Sequence, residues 1–152
     1  MTTTYAQHEH RARSLESVSI SEAMHRGVVT CRPETPLHTV ARVMAAHRIH
    51  AVVVEPGADG RDWGLVSDLD LAAAAADGLP GGVTVGRVAS APSVFARPEE
   101  TIARVAQLMR DYETHHVVVV DRGGGGDRPV GIVSTLDVAD VVAELPQPTA
   151  DG

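Results

Sequence analysis

The apolar positions of this chain occur in two sets, the second repeating the first. Val40-Ala41, Met44 and Val52-Val53-Val54 return 65 residues later as Val105-Ala106, Met109 and Val117-Val118-Val119. Polar positions keep the same offset, Arg32-Pro33-Glu34 on Arg97-Pro98-Glu99 and His50 on His115. Beyond the valine run the offset becomes 67, matching Gly64-Leu65-Val66-Ser67 to Gly131-Ile132-Val133-Ser134 and Leu69-Asp70 to Leu136-Asp137. The change falls in a Gly- and Asp-rich stretch, 55–62 against 121–128, where a surface hairpin tolerates added length. The pattern is that of a tandem duplication.

Within each copy the apolar period changes from element to element. A short β-branched stretch (28–31; 93–96) leads into the Pro-Glu turn. Helical spacing follows over 36–47, where Leu37, Val40, Val43 and Met44 make one face, and over 101–112, where Ile102, Val105, Leu108 and Met109 do. Thr35 and Glu100 stand near the N-caps, and Pro36 suits a first helical position. The continuous runs 51–54 and 117–120 predict strands buried on both faces. A glycine-containing loop then leads to a third strand, 64–66 or 130–133. A last helix starts at Ser67 or Ser134 and runs through 72–76 or 138–143. Segments 18–24 and 83–89 could dock as short helices.

One copy is therefore β-α-β-β-α over about 60 residues, too short to bury a good core alone, so the copies should pack together. The expected division is a loose tail over 1–16, repeats over 17–80 and 81–145, and a second tail over 146–152.

Composition narrows the function classes. With 152 residues, 43% hydrophobic and 22% charged, the chain suits a soluble globular protein. Its longest apolar run, 71–76, is far short of the roughly 20 residues of a membrane span, and its polar start is unlike a secretory signal. A net charge of −7 and four scattered aromatic rings argue against a nucleic-acid surface. All 13 basic residues are Arg, which excludes chemistry that needs a lysine Schiff base or a P-loop lysine. The single cysteine, Cys31, forbids an internal disulfide and fits a reducing, cytoplasmic setting. It reads as a small buried hydrophobe more readily than as a redox switch. Eight histidines show neither HExxH spacing nor a Cys-x-x-Cys companion, so no metal site is expected.

The candidate chemistry lies in Gly64-Leu65-Val66-Ser67-Asp68-Leu69-Asp70 and Gly131-Ile132-Val133-Ser134-Thr135-Leu136-Asp137, both at a strand-to-helix junction. A Ser-x-x-Asp there can simply start a helix, Ser capping and the acid supporting the first turn. The same geometry can hold a ligand. A helix start offers N–H groups to an anion, the hydroxyl adds a donor, and a carboxylate one turn along can accept both hydroxyls of a ribose. The two readings are compatible.

With these motifs, the Arg-Pro-Glu turns and the stretches 47–54 and 114–121, the chain resembles tandem CBS (cystathionine β-synthase) domains, the Bateman module, over about Ser17 to Leu145. The resemblance implies an α/β fold, two β-α-β-β-α repeats packed through their sheets with pseudo-twofold symmetry. By position it implicates Ser67 and Asp70 in one adenosyl site and Ser134 and Asp137 in the other, Ser toward phosphate and Asp toward the ribose hydroxyls. His50, and His115 in the second copy, match a histidine that approaches phosphates in nucleotide-sensing relatives. Arg48 and Glu113 differ between copies, so the sites need not be equivalent.

The implied function is a non-catalytic sensor of AMP, ADP, ATP or a similar adenosyl ligand. It would act as a homodimer on a separate, unknown protein partner, with neither nucleic acid nor membrane involved. A structural or interaction module with vestigial clefts is the alternative. A serine hydrolase is disfavoured, since no Gly-x-Ser-x-Gly elbow exists.

Overall fold

The computed structural model describes residues 13–58, 60, 62–90 and 93–147. Most of both expected tails, His8 and His10 included, lies outside the described residues. Two sheets carry the architecture. One has strands β2 (Thr30–Cys31), β3 (Ala51–Val54) and β4 (Gly64–Ser67) in the order β2-β3-β4. The other has β1 (His25–Arg26), β5 (Phe95–Ala96), β6 (His116–Gly123) and β7 (Gly126–Ser134) in the order β1-β7-β6-β5. Helices α2 (Leu37–His47) and α3 (Asp68–Ala76) belong to the first repeat, α5 (Ile102–Tyr112) and α6 (Thr135–Ala143) to the second.

The valine runs are the central strands, and alternation divides each between two cores. Val52 and Val54 join Leu37, Val40 and Met44 beneath α2, while Val117 and Val119 join Ile102, Val105 and Leu108 beneath α5. The opposite faces, Ala51 and Val53 against Val118 and Val120, form a third cluster between the two sheets. Val53 and Val118 are wholly buried there. Each repeat thus lacks a cover for one sheet face, and the other repeat supplies it. This is the expected fold, β-α-β-β-α twice, sheet on sheet.

The short helices α1 (Ile20–Ala23) and α4 (Val85–Val88) dock crosswise. Ile20 is buried among the second repeat's core residues and Val85 among the first's. Backbone bonds repeat the exchange in register. Ile20 N donates to Glu100 O and Val85 N to Thr35 O, both at 2.8 Å; Ile102 N donates to Val18 O and Leu37 N to Val83 O, both at 3.0 Å. The same pairing explains Pro36. It bridges Thr84 and keeps an extended ψ of 136°, so it stands at the N-cap of α2 and not inside the first turn. In α5 the cap is Thr101, whose hydroxyl accepts from Arg104 N.

The third strand of the second repeat is longer than the apolar pattern suggests. β6 and β7 continue past Val120 as a hairpin to Gly123 and Gly126, with a register shift between Val119 and Val120 opposite Pro129. A Gly-Gly turn closes it, and Gly126 adopts φ 111°, a conformation that side chains resist.

Crosswise docking leaves no room at Gly86 in α4, where a Cβ would lie 2.9 Å from both Cβ and O of Pro33. Gly86→Ala should therefore cost about 1–3 kcal/mol through overpacking, a fall in thermal midpoint of about 3–10 °C for a chain of this length. An unchanged midpoint in thermal unfolding would show that α4 does not need this close approach.

Candidate functional site

Each motif serine ends a strand in extended geometry and caps the helix that follows. The Ser67 hydroxyl accepts from Asp70 N (3.3 Å), while Asp70 Oδ2 accepts from Ser67 N (2.8 Å) and Ser67 Oγ (3.1 Å). Ser134 and Asp137 repeat the arrangement at 3.3, 2.7 and 3.0 Å. Both motifs are thus complete capping boxes. Neither serine oxygen has an imidazole as hydrogen-bond partner among the described residues, so no nucleophile–base pair is formed there.

A cleft of about 350 Å³ opens beside the start of α3. Its polar lining comes from both repeats: Ser67, Asp68 and Asp70 from the first, Glu113, Thr114 and His115 from the second. The second group is presented by the end of α5. Glu113 takes a left-handed conformation (φ 51°), as does the equivalent Arg48 at the end of α2 (φ 54°). Such a φ costs a non-glycine residue about 1 kcal/mol or more. Its presence in both copies turns the chain sharply from helix into the next strand, bringing residues 114–115 to the cleft rim.

The structure brings Ser67 and Asp70 together with His115, across the repeat boundary. His50 lies elsewhere: its Nδ1 donates to Asp68 Oδ2 at 2.9 Å, on the helix start of its own repeat. The second motif has a different neighbour. Asp137 is buried, and its Oδ1 lies 2.8 Å from Nε2 of the exposed His25. Strand β1 puts His25 there by pairing antiparallel with β7, His25 opposite Ile132. Sequence reasoning missed His25, Asp68 and His116. The repeat offset held the signal for two of them, because it sets Asp68 against Thr135 and His116 against Ala51.

Burial shapes the electrostatics. His116 sits on the inter-sheet face of β6 and also lines the cleft, and burial lowers its pKa against the smaller opposing pull of Asp68. The Asp68 carboxyl is held low chiefly by the hydrogen bond from His50, with a further bond from Leu69 N at 2.9 Å. Cys31, half-buried against the first repeat's core, has its thiol pushed up to about 11 by burial and then by Glu55. It stays protonated and packs as a small apolar group. Among the described residues no group of three or more His, Cys, Asp or Glu side chains is placed to hold a metal ion.

A buried histidine with a lowered pKa stabilises the fold fully above the unfolded value of about 6.5, and that stability is lost as pH falls below it. The thermal midpoint should therefore drop between pH 7 and pH 5, and the drop should shrink in His116→Ala. Parallel pH profiles for the two proteins would rule out a neutral, buried His116.

The protein-family model described as "CBS domain" matches residues 20–77 and again 85–144. No curated protein matches the chain. Among solved structures, the CBS-domain containing protein ATU1752 from Agrobacterium tumefaciens is 27% identical, with a TM-score of 0.67 over 82% of this chain and 98% of that one. The CBS domain protein PAE2072 from Pyrobaculum aerophilum, complexed with AMP, is 23% identical, with a TM-score of 0.68 over 84% and 98%. The CBS domain pair of protein MJ0100, in complex with 5′-methylthioadenosine and S-adenosyl-L-methionine, is 21% identical, with a TM-score of 0.71 over 83% and 96%. No helix among the described residues is long and apolar enough to cross a membrane. The duplicated motif, the exchanged helices and the family match agree: this chain belongs to the CBS domain family, as a tandem pair.

Proposed function

We propose that this protein is a non-catalytic regulatory module that binds adenosyl ligands in clefts between its two repeats and reports their presence to a separate protein partner. The observation that carries this reading is the crosswise cleft, where a capping serine and a ribose-type carboxylate of one repeat face Thr114 and His115 of the other. A ligand bridging them gains contacts that depend on the angle between repeats, which is what allows binding to shift a conformational equilibrium. AMP, 5′-methylthioadenosine and S-adenosyl-L-methionine, bound by structures of the same fold, share the adenosine that such a cleft would grip. A homodimer is the proposed assembly, supported by the repeat-related Leu69 and Leu136, 64% and 67% exposed on α3 and α6.

The alternative, an interaction module with vestigial clefts, has one observation in its favour, at the second motif. There the Asp137 carboxylate is already engaged by His25 and by Ser134. A ribose diol would have to displace His25, and because that side chain is 80% exposed its release costs little. We therefore assign the second motif a competent but self-occupied carboxylate.

Thermal unfolding against AMP, ATP, 5′-methylthioadenosine and S-adenosyl-L-methionine tests the reading. A ligand at one hundred times its dissociation constant adds about 2.7 kcal/mol, or a midpoint rise of about 5–10 °C. The rise should be lost in Asp70→Ala or in Asp137→Ala, according to which cleft is filled. No rise with any adenosyl compound would leave the interaction module as the better account.

A further inference from the structure

The two motifs differ at one position that decides what can approach the helix start. The N–H groups of the first turn of α3 are all taken by the protein itself. Ser67 N donates to Asp70 Oδ2, Asp68 N to His50 O, Leu69 N to Asp68 Oδ1 and Asp70 N to Ser67 Oγ. At α6 three of these bonds recur, from Ser134 N, Thr135 N and Asp137 N. The fourth does not. Thr135 replaces Asp68, and Leu136 N has no hydrogen-bond acceptor among the described residues. The Asp68 carboxylate therefore takes the one first-turn N–H, that of Leu69, whose counterpart is left open at α6, and it sits at the positive dipole end of α3. His50, donating to its other oxygen, fixes it there.

The opposite rim adds to the same charge. Glu113 lines the cleft where the repeat-related residue is Arg48. Three carboxylates, Asp68, Asp70 and Glu113, thus border about 350 Å³, a volume at the small end for ligand sites. A 5′ substituent on a ribose held by Asp70 would share this cleft with Asp68 and Glu113. Of the two histidines on the rim, His116 is buried and favours its neutral form, while His50 pairs with Asp68 from outside the rim, so His115 is the imidazole that faces Asp70 and Glu113.

We propose that Asp68 and Glu113 make this cleft selective for adenosyl compounds whose 5′ substituent is neutral or positively charged, and make it reject those carrying a 5′-phosphate. This rests on the adenosyl reading above and narrows it to a chemical class at one of the two clefts. Like charges brought together at the rim of a cleft oppose binding, and a carboxylate already seated on the Leu69 N–H removes a contact that would offset the repulsion.

The test is titration calorimetry of the native chain, Asp68→Thr and Asp70→Ala with two probes, neutral 5′-methylthioadenosine and AMP. The binding component lost in Asp70→Ala belongs to this cleft, and Asp70→Asn, which keeps a capping oxygen, serves if the alanine variant does not fold. In the native chain that component should favour 5′-methylthioadenosine over AMP by tenfold or more. Asp68→Thr, which installs the residue found at the second motif, should tighten AMP at least tenfold and leave 5′-methylthioadenosine within threefold. A native cleft that prefers AMP, or a preference that Asp68→Thr leaves unmoved, would overturn the proposal while the adenosyl reading stands. Absence of binding by either probe to every chain would overturn both.

Discussion

The structure depends on contact between the two valine strands across the sheet interface. Ala51 and Val53 of one repeat meet Val118 and Val120 of the other in a cluster that neither repeat can close alone. Burying a valine of this kind stabilises by about 1.5–3 kcal/mol, and a sheet face left open to water would forfeit that for several residues together. The cleft follows from this packing. Once the sheets meet through β3 and β6, the start of α3 and the end of α5 stand on facing sides of one opening.

The exchange of α1 and α4 reinforces the same constraint through the backbone. Because each short helix completes the other repeat's core, moving one repeat relative to its partner strains two hydrogen-bonded segments as well as the valine contact. A ligand that gripped Asp70 on one side and reached Thr114 or His115 on the other, as proposed, would act across that joint. The two motifs are alike as capping boxes and unlike in their surroundings, Asp68 and Glu113 at one set against Thr135 and His25 at the other. A duplicated scaffold has thereby kept its geometry while its two helix starts present different charge.

Much of this was legible in the sequence because the signals are local. Valine runs, helical spacing at Leu37 to Met44 and Ile102 to Met109, and Ser-x-x-Asp after a glycine each report their own element, and the 65-residue offset multiplies every one by two. What escaped depends on distant partners. Val18 and Ile20 announce burial, but nothing in their spacing says that the second repeat buries them. His25 and Arg26 are exposed and polar, without period, so the strand they form came only from the free edge that β7 offers. The hairpin beyond Val120 is a run of Asp, Arg and Gly whose pairing rests on its glycine turn and not on an apolar face. At the site, Ser67, Asp70 and His115, which the motif and the family resemblance implicate, line one cleft, whereas His50 pairs with Asp68. Tertiary neighbours decide such pairings, and a motif does not contain them.

In the proposed function one adenosyl ligand is held by residues of both repeats. Assigned backbone amide resonances, followed while 5′-methylthioadenosine is added to the native chain, report on both sides of the cleft at once. Amides of 67–70 and of 113–116 should move together, with one midpoint, while those around Leu37 and Val40 stay still. Movement confined to one repeat, or two midpoints for the two segments, would contradict a cleft built across the valine interface.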